Sequence, residues 1–272
     1  MVILIKKKRS VIIKRRTRAD GSRQRYFLRE DKSVVSPTVA LESLLTTLVI
    51  DAYEGRDIET FEVSRAYLHA EMSPDKRVIM VVRGEFVELM CKVNKKFRRY
   101  VTHTKNGKPV LYLRILHAIY ACIDSALLWY NLFRAKLTSM GFKINLYDRS
   151  IATKAINNKQ CTVTWYVNDV KVLPDDPTVV SEIINLVEEE YGDVKPVRGD
   201  NYVYLGMNIL ITKDQKIMIN MKEQILEAIE ALGEDVSCKV AIPAARHLMN
   251  VSDGTTKLDD VEAELFCNIV AK

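Results

Sequence analysis

Paired cysteines, zinc-ligand spacings and nucleotide-binding glycine loops are all missing from this chain. Its five cysteines (Cys91, Cys122, Cys161, Cys238 and Cys267) are scattered and form no CxxC pair. That excludes a disulfide framework and a zinc ribbon, and points to a reduced, intracellular protein of the cytoplasm or nucleus. The four histidines show no HExxH or comparable spacing, which argues against metalloprotease chemistry. Neither GxGxxG nor a Walker pattern occurs, so a dinucleotide fold and a P-loop are set aside. No apolar run reaches the roughly 18 residues of a membrane helix. The run Val2 to Ile5 is too short for a signal-peptide core, and its charges follow it instead of preceding it. Internal repeats and low-complexity segments are also absent.

What is present is a globular composition with lopsided charge. Of 272 residues, 48% are hydrophobic and 28% charged, enough for one large domain or two small ones with a real core. The net charge of +6 permits a polyanionic partner. The excess is concentrated at the front. Residues 1–30 hold Lys6, Lys7, Lys8, Arg9, Lys14, Arg15, Arg16, Arg18, Arg23, Arg25 and Arg29 against only Asp20 and Glu30. Val11 to Leu28 reads as a basic hairpin turning at Ala19-Asp20-Gly21-Ser22. Its cations fit either a solvated face or a flap contacting phosphates, and a short hairpin so charged repels itself unless an anion is close. Lys6-Lys7-Lys8-Arg9 also fits a nuclear localisation signal.

Ser36-Pro37 predicts the start of a helix with Val39, Leu41, Leu44, Leu45 and Leu48 on its apolar face and Gly55 just past its end. Ile58 to Val63 predicts a strand with Ile58, Thr60 and Glu62 on one face and Glu59, Phe61 and Val63 on the other. Strand-like runs recur at Arg77 to Val82, Phe86 to Val93 and Pro109 to Leu113, the last after a Lys105–Lys108 turn. Ser125 to Met140 predicts a helix. Ile151 to Ile156 and Gln160 to Val167 predict a hairpin about Asn157-Asn158-Lys159. Trp165 to Val170 then reads as a strand broken at Asn168-Asp169 and resumed at Val170-Lys171-Val172. Such a tip holds a carboxylate out to solvent on a stiff support. A helix from Asp176-Pro177 to Gly192, a hairpin of Tyr202–Ile211 with Lys216–Ile219, a helix capped by Asn220 with Glu223, and a partial helix from Leu258 to Val270 complete the chain. The mixture, with no regular βαβ alternation, predicts an α+β fold.

Five stretches in this order resemble the reverse transcriptase domain of copia-type (Pseudoviridae-like) LTR retrotransposon polyproteins. They are Thr60–Ala70; Ala118-Ile119-Tyr120 with Ser125–Tyr130; Gly141-Phe142 with Tyr147-Asp148; Tyr166-Val167-Asn168-Asp169; and Tyr204-Leu205-Gly206-Met207. The resemblance covers roughly residues 11–270. It implies a right-hand polymerase with palm and fingers: residues 1–57 as a basic fingers hairpin and first helix, 58–212 as palm with an interleaved fingers segment at about 77–115, and 213–272 as a partial thumb and start of a connection, with RNase H absent.

The family catalyses RNA-directed DNA synthesis with two Mg²⁺ ions held by three aspartates. The matching positions here are Glu62, Asn168 and Asp169, with the Val63 backbone beside them. Glu62 is one methylene longer than Asp, and Asn168 offers an amide where the family has a carboxylate, so the expectation is weakened metal binding and impaired transfer. The same resemblance places Tyr67, Arg65 and Lys171 at the incoming deoxynucleoside triphosphate. It places Lys14, Arg15, Arg16, Arg18, Arg23, Arg25, Tyr204, Gly206 and Met207 at an RNA template or RNA–DNA hybrid. The family has Gly at the position of Ala121, and a basic or amide residue at that of Asp124. Two further readings stay open: a non-catalytic nucleic-acid-binding remnant, and a decayed transposon open reading frame.

Overall fold

The computed structural model describes residues 2–7, 13–27, 34–174, 177–233 and 257–270. Its strands are β1 (Val2–Lys7), β2 (Ile13–Arg18), β3 (Glu59–Glu62), β4 (Ile79–Arg83), β5 (Thr102–His103), β6 (Pro109–Arg114), β7 (Lys143–Ile144), β8 (Ile151–Ile156), β9 (Lys159–Tyr166), β10 (Asp169–Leu173), β11 (Val197–Arg198), β12 (Asn201–Tyr204), β13 (Met207–Ile211) and β14 (Ile217–Asn220). Its α-helices are α1 (Leu41–Glu54), α2 (Ala66–His69), α3 (Glu85–Val93), α4 (Ser125–Ser139), α5 (Pro177–Tyr191), α6 (Lys222–Leu232) and α7 (Asp260–Val270). The architecture is mixed α and β, as the sequence predicts.

A six-stranded sheet in the order β11-β3-β10-β9-β8-β7 organises the molecule, and every pairing in it is antiparallel. Alternation along β10 decides what each face meets. Val170 and Val172 enter one core with Phe61, Val63, Val163 and Trp165. There they meet Trp129, Tyr130, Phe133 and Leu137 of α4 and Val180, Ile183 and Val187 of α5. Leu173 enters a second core on the opposite face, with Ile58, Leu44 and Leu48 of α1, and Tyr202, Tyr204, Met207 and Ile209. The sheet is therefore covered by helices α4 and α5 on one side and by α1 with the β12-β13-β14 meander on the other. A separate three-stranded sheet, β4-β6-β5, packs on α3 through Val82, Leu111, Val87 and Cys91.

Several expectations are corrected. Phe86 to Val93 is helix α3, not a strand. Val87 and Cys91 are buried four residues apart while Leu89 and Val93 are exposed, so the helical period won over a run of apolar residues that also suits a strand. Helix α1 begins at Leu41 and not at Pro37. Its first turn is held by Asp148, whose Oδ2 accepts from Ala40 N at 2.9 Å. Its buried face is Leu44, Thr47, Leu48, Asp51 and Ala52, which leaves Leu41 and Leu45 exposed. Tyr202 to Ile211 is itself a hairpin, β12 and β13, and β14 adds a third strand.

The basic hairpin is displaced toward the N-terminus. The partner of β2 is β1, with Lys14 opposite Lys6 and Arg18 opposite Val2, so Asp20-Gly21 is not its turn. Lys8, Arg9 and Arg29 lie outside the described residues, as do Asp176 and Cys238. Asp20 Oδ1 instead accepts from Ser22 N and Oγ, opening a 3-10 turn over Ser22–Phe27. Ala19 N donates to Tyr120 O at 3.0 Å. Gly21 lies so close to Ala121 that an added Cβ would sit 1.9 Å from the Ala121 carbonyl oxygen, so this position admits only glycine.

Ala121 itself is strained, with φ of 68°. A left-handed backbone costs a non-glycine residue about 1–2 kcal/mol. Replacement by glycine removes that cost and adds about 0.4–1 kcal/mol of unfolded-state freedom. Ala121→Gly is therefore expected to be at least as stable as the parent in urea unfolding. Ala118→Gly, three residues away at a buried position of ordinary φ, is expected to lose about 1 kcal/mol or more.

Candidate functional site

The edge where β3 ends and β10 begins brings together the residues expected to hold metal. Asp169 opens β10 directly opposite Glu62, the last residue of β3, and is also paired with Tyr166 on β9. Residues so opposed have Cβ atoms roughly 5 Å apart, and like charges there repel. The two-residue loop between β9 and β10 is Val167-Asn168. Val167 has φ of 56°, an uncommon conformation for a β-branched residue, which costs about 1–3 kcal/mol. It is held there by Trp129, whose Nε1 donates to Val167 O at 2.6 Å, and by packing against the first core. The strained turn aims Asn168 at β3. Val63 N donates to Asn168 O at 2.8 Å, and Asn168 Nδ2 donates to Glu62 Oε1 at 2.9 Å.

That last contact bears on metal binding. Mg²⁺ requires hard oxygen ligands, chiefly carboxylates, in tight octahedral geometry. Here the amide turns its donor side toward Glu62. Rotating its carbonyl inward would set two acceptors against each other. Among the described residues no three of His, Cys, Asp and Glu are grouped so as to hold a metal ion. The donor set at this tip does not fit a pair of Mg²⁺ ions.

The other expected residues divide. Tyr67 is half-buried beside the tip, with its ring 4.8 Å from that of Tyr120, and burial raises its hydroxyl pKa. Arg65 is exposed with φ of 56° and leads into α2. Lys171 is not at a nucleotide. It is completely buried, with its Nζ 2.7 Å from Asp51 Oδ2 on α1, and both side chains are shut off from solvent. Sequence reasoning missed Asp51, whose signal was a carboxylate seven residues after Leu44 on the buried face of an apolar helix. Desolvation raises the Asp51 carboxyl and lowers the Lys171 amine, against their mutual attraction.

Tyr204 and Met207 are also turned inward, into the second core. Tyr204 OH reaches Asp169 O at 3.3 Å, and burial raises its pKa. Of that motif the turn Leu205-Gly206 is what remains partly accessible. Gly206 has φ of 80° after Leu205 at 50°, the two-residue turn that favours glycine. Asp124 is a buried carboxylate neutralised by Lys76 Nζ at 2.5 Å. The pair lies on the wall of a cavity of about 570 Å³ between β4 and the Ala19–Gln24 segment. Lys14, Arg15, Arg16 and Arg18 lie on β2, Arg23 and Arg25 on the 3-10 turn, and Arg25 is exposed. No helix among the described residues is long and apolar enough to cross a membrane.

No protein-family model matches the chain, and no curated protein matches it. Among solved structures the chain is similar to telomerase from Candida albicans in complex with the TWJ fragment of telomeric RNA. That match has a TM-score of 0.38 and 13% identity, covering 72% of this chain and 36% of that one. It is similar also to apo telomerase from Candida tropicalis, with a TM-score of 0.39 and 11% identity over 70% of this chain and 37% of that one. The chain thus spans a little over a third of the length of the telomerase chains it matches.

Proposed function

We propose that this chain is a reverse transcriptase domain of copia type which grips nucleic acid but whose nucleotidyl transfer is disabled at the β9–β10 tip. The observation that carries the reading is the register of β3 against β10. It sets Glu62 and Asp169 side by side at the end of a helix-backed antiparallel sheet, beneath a strained two-residue turn. In this reading the six-stranded sheet with α4 and α5 is the palm. The β4-β6-β5 sheet with α3 and the β1–β2 ribbon are fingers, and α6 and α7 begin a thumb.

What this chain's residues can do there is bind and orient. The β1–β2 ribbon and the 3-10 turn supply cations for the phosphates of an RNA template or RNA–DNA hybrid. Tyr67 offers an aromatic face beside the tip for the sugar of a deoxynucleoside triphosphate. The Leu205-Gly206 turn offers backbone for close approach of a primer end. The hydrogen bond from Asn168 to Glu62 favours a binding domain over an impaired enzyme that still turns over, because it uses the carboxylate that two cations would need.

Binding of an RNA–DNA hybrid at rising salt tests this. With four phosphates neutralised by Lys14, Arg15, Arg16 and Arg18, affinity is expected to fall about 100-fold between about 50 and 200 mM salt. Replacing those four residues by glutamine is expected to flatten the slope as well as weaken binding. Absence of binding at 50 mM salt, or a slope unchanged in the fourfold variant, overturns the proposal.

A further inference from the structure

We infer that the Asn168 amide takes the place of a cation at this tip, so that the β9–β10 hairpin is closed on β3 without metal and admits a divalent ion only by breaking that closure. Two carboxylates, Glu62 and Asp169, stand opposite each other on neighbouring strands. In a site built for metal their repulsion is relieved by the ion. Here one of the two carboxylates already has a neutral partner: Asn168 Nδ2 lies 2.9 Å from Glu62 Oε1, and the same residue accepts the Val63 N–H through its backbone carbonyl at 2.8 Å. One residue is thus tied to β3 twice, once by side chain and once by backbone. A hydrogen bond to a charged carboxylate is among the stronger of its kind. The strain at Val167 is what presents Asn168 in this orientation, and Trp129 holds that strain from below. Asn168 is therefore a positioning residue that orders the tip in the metal-free protein.

The location rests on the polymerase reading of this hairpin, but the test uses neither nucleic acid nor turnover, so its failure is distinguishable from a failure of hybrid binding. The first measurement is Mn²⁺ binding to the full chain, followed by electron paramagnetic resonance. The expected result is either no occupancy below about millimolar metal, or occupancy that Glu62→Gln leaves unchanged. Sub-millimolar binding abolished by Glu62→Gln overturns the inference.

The second measurement is thermal melting in EDTA and in Mn²⁺. The parent melt is expected to be the same in both. Asn168→Asp removes the donor and sets three carboxylates together. It is expected to melt several degrees lower in EDTA and to recover in Mn²⁺, whereas Asn168→Ala, which removes the donor without adding charge, is expected to melt lower in both. If Asn168→Asp does not fold without metal but folds with it, the inference is supported as well. An Asn168→Asp variant as stable as the parent in EDTA overturns it.

Discussion

Primer extension on an RNA template is expected from the Glu62→Asp/Asn168→Asp variant at a rate at least about 100-fold above the parent chain. The magnitude comes from what each position contributes. Transfer between a primer hydroxyl and a triphosphate relies on charge stabilisation more than on covalent participation by the protein. Removing one preorganised electrostatic contact of this kind costs about 3–4 kcal/mol, or 10²–10³ in rate. Asn168 removes one negative charge and also points a donor at Glu62. Glu62 keeps its charge but carries its oxygens one methylene too far, and displacements of that scale disable catalysis on their own. The scaffold around them is intact. The register of β3 and β10, the Trp129 bond beneath Val167 and the Tyr204 contact to Asp169 involve neither substituted side chain. On the proposed reading the double variant has three carboxylates on a support whose contacts the two substitutions leave unchanged. Extension by the parent at a comparable rate would show that the amide does not disable the site. Silence from the double variant in both Mg²⁺ and Mn²⁺, with hybrid binding retained, would mean that the site lacks more than one charge and a shorter carboxylate.

The hairpin that carries Asn168 was legible from local chemistry alone. Trp165-Tyr166-Val167 is β-prone, Asn168-Asp169 is turn-prone, and Val170-Lys171-Val172 resumes the pattern. The same holds for the Asn157-Asn158 turn, whose two residues both adopt positive φ, and for helix α4. What was not legible depends on partners distant in the chain. The resemblance put Lys171 at a nucleotide, and only the packing of α1, 120 positions away, puts Asp51 against it. The orientation of α1 was misjudged for the same reason: five apolar residues suggested a face containing Leu41 and Leu45, while the burial of an acid rotated the helix away from them. Phe86 to Val93 failed differently. A short run rich in apolar residues satisfies both periods, and only the fit of Val87 and Cys91 against Val82 and Leu111 chose between them. The Asp20-Gly21 signal was correct as a turn and wrong as a hairpin, because Asp20 spent its side chain on Ser22. At the site itself, the family resemblance put Glu62, Asn168 and Asp169 together but carried no sign that the amide would bond to the carboxylate.

Breaking the Lys171–Asp51 pair is the other large effect. Lys171→Met is expected to destabilise the chain by about 3–5 kcal/mol, because it leaves a buried carboxylate with its partner gone. At about 2–4 °C per kcal/mol for a chain of this size, that is a drop of roughly 10 °C in Tm. Removing both partners has a different outcome, set by the direction of the two titrations. Burial raises Asp51 and lowers Lys171 despite the 2.7 Å contact, and Arg56 adds a further push on the lysine. A carboxyl whose folded pKa is raised contributes stability at acid pH that is lost as pH rises through the folded value. An amine whose folded pKa is lowered does the reverse, and its cost is present below that value. Burial thus works against the charged form of both groups, a cost that their attraction does not fully offset. Asp51→Leu/Lys171→Met is accordingly expected to be as stable as the parent or more so in urea unfolding, although Lys171→Met alone is not. The single variant carries a pH signature as well. With Lys171 gone, Asp51 enters the core most easily as the neutral acid, so the deficit of Lys171→Met should be smaller near pH 5 than near pH 8. A double variant as damaged as the single would mean that the pair contributes net stability. In that case the threonines on this face of the sheet, Thr60 and Thr164 beside Lys171 and Thr162 next along β9, offset the desolvation of the two charges.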